Sequence, residues 1–82
     1  MITEFERGMK KLKLLAESLQ LEIVGKGEEP DSGFPCMIVK EKGKNILVVY
    51  NYNKDQIWTT ERISGASMTT FGHGYWRYMI KT

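Results

Sequence analysis

Residues 36–52 read CMIVKEKGKNILVVYNY, two apolar runs rich in β-branched residues joined by Lys42-Gly43-Lys44. A short connection containing glycine predicts a β-hairpin, with strands at about 36–41 and 45–52. In the second run Ile46, Val48, Tyr50 and Tyr52 share one face, while Leu47 and Val49 point to the other. Apolar residues on both faces predict a central strand, covered on both sides over part of its length.

Upstream of the hairpin the periodicity changes. Phe5, Met9, Leu12, Ala16 and Leu19 recur at a 4-3-4-3 spacing, widened by Leu15, and charged residues fill most of the remaining positions. That stripe predicts an amphipathic helix over residues 3–20. Thr3 and Glu6 have the spacing of a capping box, and Glu6 and Lys10 are a favourable pair four apart. Gly8 interrupts the run at a cost of about 1 kcal/mol relative to alanine. Two heptads are too few for a coiled-coil seam, so the stripe is expected to pack on the sheet. A strand at about 21–25 follows. Residues 25–35 hold three glycines and both prolines, which predicts an exposed loop.

Downstream, Asn51 to Asp55 is a polar turn. A strand at about 56–62 places Ile57, Thr59 and Glu61 opposite Trp58, Thr60 and Arg62. Residues 63–74 carry small and polar side chains and read as a loop with one turn of helix at most. A last strand at about 75–81 alternates Tyr75, Arg77, Met79 and Lys81 with Trp76, Tyr78 and Ile80, the second set being the core face. The expected fold is α+β: a single domain, 1–82, with the N-terminal helix packed on a mainly antiparallel sheet of four to five strands. No second helix is available for parallel crossovers.

Composition narrows the function classes. No apolar run approaches the roughly 18–20 residues that span a bilayer. The N-terminus has no secretory h-region, so a cytoplasmic protein without membrane partners is expected. Cys36 and His73 are the only Cys and His among 82 residues, which predicts no disulfide, no Cys/His zinc cage and no cofactor. The two could form a nucleophile and base only if the fold brought them together, and neither has a local signature. Glu28, Glu29 and Asp31 lack calcium-loop spacing, and the glycine loops lack phosphate-binding patterns.

Charge and aromatic residues are unevenly spread. The net charge of +2 combines +1 over residues 1–20, −3 over 21–35 and +4 over 36–82. Eight of the nine aromatics fall after residue 33. Tyr75-Trp76-Arg77-Tyr78 places three interface-favoured residue types together, and with His73, Trp58 and Arg62 it forms the candidate binding set. Tyr75 shares a strand face with Arg77, and Trp58 with Arg62. The expectation is a small non-enzymatic protein-binding module, a regulator or inhibitor of the kind common in bacteria and phages. The last strand lies either at an edge, open to a homodimer or peptide, or inside its own sheet. The alternatives are a single-stranded nucleic-acid-binding domain using a basic aromatic sheet face, and a small enzyme or subunit using Cys36 or His73.

Overall fold

The computed structural model describes residues 2–71 and 75–78. Helix α1 spans Glu4–Ser18, and the Thr3 hydroxyl accepts from the Glu6 amide at 3.1 Å. The helix ends two residues before the expected limit. Gln20 turns into the left-handed region (φ 56), its amide donates to the Glu17 carbonyl at 3.1 Å, and the Leu21 amide donates to the Ala16 carbonyl at 2.9 Å. This pair of bonds is a Schellman motif, built here on glutamine rather than glycine.

Six strands follow among the described residues: β1 (Glu22–Glu28), β2 (Pro35–Glu41), β3 (Lys44–Asn51), β4 (Gln56–Thr59), β5 (Met68–Phe71) and β6 (Tyr75–Tyr78). They form one antiparallel sheet in the order β1-β2-β3-β4-β6-β5. The α+β class and the helix-on-sheet arrangement hold, with six strands instead of four to five. The extra strand, β5, lies where a loop was expected, and pairing with β6 supplies the order that its short, polar sequence does not signal. β1 continues through Gly25 and Gly27 because β2 pairs with it as far as Glu28. β4 ends at Thr59, three residues early. β6 lies between β4 and β5, so the edges are β1 and β5 rather than the last strand. The Met79–Lys81 part of the expected final strand lies outside the described residues.

Turn chemistry fixes the register. Lys42 and Gly43 both have positive φ, 51 and 81, and make a two-residue turn closed by Glu41 opposite Lys44. In the β1–β2 loop the Glu29 carboxylate accepts from the Ser32 and Asp31 amides, which holds its pKa down, the bond to the Ser32 hydroxyl acting most strongly. That loop therefore uses its central acid internally.

The core lies between α1 and one face of the sheet. Leu12, Leu15 and Ala16 descend onto Met37, Val39, Ile46, Val48, Tyr50 and Ile57. Ile63, from the segment after β4, is 1% exposed and completes the cluster. Gly8 proves to be a contact residue. A Cβ there would lie 2.5 Å from Tyr50 Cδ2 and 2.7 Å from Pro35 Cγ, so its absence lets the helix backbone rest on both rings. The Lys11 ammonium bonds Asp55 Oδ1 at 2.8 Å and the Tyr50 hydroxyl at 3.2 Å, and that hydroxyl donates to Asp55. The triad fastens α1 to the β3–β4 turn.

Gly8→Ala is expected to destabilise the fold by about 1–3 kcal/mol through overpacking, against its gain in helix propensity. Gly27→Ala, with nothing near its Cβ, serves as control in urea denaturation. The Lys11 and Tyr50 bonds hold the Asp55 carboxyl below the usual carboxylate range, Lys11 most strongly, so its contribution is full above that range and fades as pH falls through it. Lys11 is raised by the Asp55 bond first and Tyr50 by burial first, so theirs is lost as pH rises above the ordinary lysine and tyrosine values. Because both ion-pair partners are more than a third exposed, Asp55→Asn should cost only about 0.5–1 kcal/mol at neutral pH. The difference from the parent should shrink in the same denaturation assay as the pH falls through and below the ordinary carboxylate range.

Candidate protein-binding face

Strand alternation sorts the sheet residues into two sets. Met37, Val39, Ile46, Val48, Tyr50, Ile57 and Thr59 face the helix side. The intervening residues face away, and the register aligns them in a row: Cys36 beside Val49, Val49 beside Trp58, Trp58 beside Arg77, and Arg77 beside Thr69. Ile38 and Leu47 form an adjacent pair on the same side, and Tyr75 stands two residues from Arg77. No described helix lies over this face. Ile38 is 39% and Tyr75 48% exposed, and Leu47, Trp58 and Arg77 are half-buried. No described helix lies over the Leu47 and Val49 side of β3, yet Val49 is only 8% exposed while Leu47 is half-buried, so β3 is covered on both faces over part of its length, as expected.

The face has two halves. Across β2 and β3 its accessible residues are the aliphatic Ile38 and Leu47, with Val49 buried beside them. Across β4 and β6 it carries Trp58, Arg77 and Tyr75. At one rim Phe34 meets Tyr52 edge-on at 4.9 Å and Trp58 at 6.4 Å, which restrains the indole together with the bond from Trp58 Nε1 to Gln56 Oε1 at 3.3 Å.

The candidate set thus divides. Tyr75, Arg77 and Trp58 come together on the open face. Trp76 and Tyr78 lie on the helix side, opposite Thr59 and Ile57, and Tyr78 packs against the core. Arg62 does not share a face with Trp58. β4 has already ended, Thr59 Oγ1 donates to the Glu61 carbonyl at 2.7 Å, Ile63 is drawn into the core, and the Arg62 guanidinium lies over the Trp76 ring at 5.7 Å. His73 lies outside the described residues. Ile38 and Leu47 belong to the face but were not in the set, because alternation alone does not say which side the helix covers.

The chemistry of Cys36 runs against activation. Burial pushes its thiol pKa up and the Glu29 charge adds to the shift, whereas a nucleophilic cysteine has its pKa lowered. Among the described residues no cluster of three or more His, Cys, Asp or Glu is placed to hold a metal, and no helix is long and apolar enough to cross a membrane.

Trp76→Ala is expected to lower stability by about 2–3 kcal/mol, less than a fully buried tryptophan because the ring is only half-buried. Thermal or urea unfolding followed by circular dichroism measures this. A variant as stable as the parent would move Trp76 back among the surface residues.

The chain matches no protein-family model, no curated protein and no solved structure.

Proposed function

We propose that this protein is a non-enzymatic protein-binding module that acts by laying the open face of its sheet on a partner, as a regulator or inhibitor does. The observation that carries the reading is that Ile38, Leu47, Trp58, Arg77 and Tyr75 share the face of the sheet over which no described helix lies, around a buried Val49. An aliphatic centre beside tryptophan, tyrosine and arginine is the composition of an interface hot spot. The fit is to an apolar partner surface bordered by acidic groups that meet Arg77 and Lys40.

The second reading, single-stranded nucleic acid, draws on Trp58, Tyr75 and Arg77 sharing that face, since stacking platforms combine aromatic and basic side chains. The aliphatic half offers bases nothing to stack on, which favours protein.

A photo-crosslinking residue in place of Tyr75 should capture a defined partner in cells, while one in place of Leu14, exposed on the helix, should not. Tyr75→Ala and Arg77→Ala should each weaken binding to that partner by about 1–2 kcal/mol while leaving the unfolding midpoint nearly unchanged. Equal capture from both positions would sink the proposal. Salt-dependent binding of an unstructured oligonucleotide, lost in Arg77→Ala, would replace it with the nucleic-acid reading.

A further inference from the structure

Helix α1 packs on β2 and β3, and β1 stands beyond that footprint. Between helix and strand runs a groove of about 290 Å³. Met9 and Met37 line it, with Ile23 and Val24 on the strand side, and Lys13 and Lys26 are the charged side chains along it. Methionine side chains suit such a groove, since they adapt to whatever apolar group enters.

Three observations make it more than a gap. β1 is an edge, bonded to β2 alone, so alternate backbone N–H and C=O groups point outward. Gly25 and Gly27 leave the face of its outer stretch away from the groove without side chains, the Ile38 Cδ1 at 4.0 Å from a Gly25 Cβ being the one atom near either, so an added strand meets no β1 side chain there. Lys13 and Lys26 approach from opposite walls, and neither has an ion-pair partner within 4 Å among the described residues. Two cations flanking an apolar groove beside an open strand edge are complementary to an anionic strand.

We propose that β1 takes up an extended peptide as an additional antiparallel strand, with one apolar side chain of the peptide lying over Met9 and Met37 and one carboxylate between Lys13 and Lys26. This site is separate from the open face and does not depend on it. The register shift at Val24 interrupts the edge, so backbone pairing runs along Gly25–Glu28. Glu28, two residues beyond Lys26 on the same side, limits the acidic requirement to a single position in the peptide.

The probe is a labelled valine–threonine peptide matched to the length of β1, with one central glutamate, compared with the same peptide carrying lysine there. At low salt the glutamate peptide should bind about tenfold tighter by fluorescence anisotropy, as two partly screened ion pairs provide. The double variant Lys13→Glu/Lys26→Glu, both positions being exposed, should keep the parent circular dichroism spectrum and invert that preference. Amides of β1 should gain hydrogen-exchange protection, and N-methylating the peptide backbone should abolish binding. Equal affinity for the two peptides, absence of binding by either, or unchanged β1 exchange would each overturn the proposal. Loss of binding in Tyr75→Ala, with the double variant unaffected, would also overturn it, by placing the peptide on the open face.

Discussion

One helix about 10 Å across must cover a sheet whose strands repeat about every 4.8 Å. That mismatch organises the molecule. α1 reaches two of the six strands, β2 and β3, and the remaining surface is dealt with in other ways. On the β4 side Ile63 folds back from the connecting segment and fills the space that a second helix would take. On the β1 side nothing comparable arrives among the described residues, and a groove is left. The reverse face keeps Ile38 and Leu47 with no described helix over them.

Since the footprint is small, the fit within it has to be close. Gly8 removes the one side chain that would hold α1 away from Tyr50 and Pro35, and Lys11 then reaches past the Tyr50 ring to Asp55. A weak position for helix formation in isolation is thus a necessary one in the assembled domain. Local propensity and tertiary contact disagree at Gly8, and the contact wins because the alternative is a collision with two rigid rings.

Much of the fold was legible where a single element carried its own signal. The 3.6-residue stripe of α1, the Lys42-Gly43 turn and the alternation of Tyr75 and Arg77 are all local patterns, and the structure follows them. The end of α1 was not legible, because Gln20 occupies a left-handed cap that sequence rules reserve for glycine. Nor was β5, whose Met68-Thr69-Thr70-Phe71 becomes a strand only through its pairing with β6. The candidate face was half legible. Tyr75 and Arg77 fell on one side as alternation requires, but Trp58 beside Arg77 depends on β6 entering next to β4, and no local pattern encodes strand order. Arg62 was misplaced for a related reason: the pull of Ile63 into the core ends β4 before the alternation can reach it.

The position of β6 bears on how the chain becomes a domain. β1 to β4 form by successive neighbouring hairpins, and each strand finds its partner soon after it is made. β5 and β6 likewise make a hairpin of their own, Phe71 opposite Tyr75, and it is the β4–β6 pairing that skips a strand. Until Tyr75–Tyr78 emerge, β4 is a bare edge and Met68–Phe71 have nothing to bond. The β4–β6 pairing is more distant in sequence than the hairpins, and pairings of greater separation form more slowly and leave strand edges exposed meanwhile. The topology therefore divides the sheet into a helix-backed meander, β1 to β4, and a hairpin, β5 and β6, laid against it, and Trp58 and Arg77 are neighbours on the open face only across that junction.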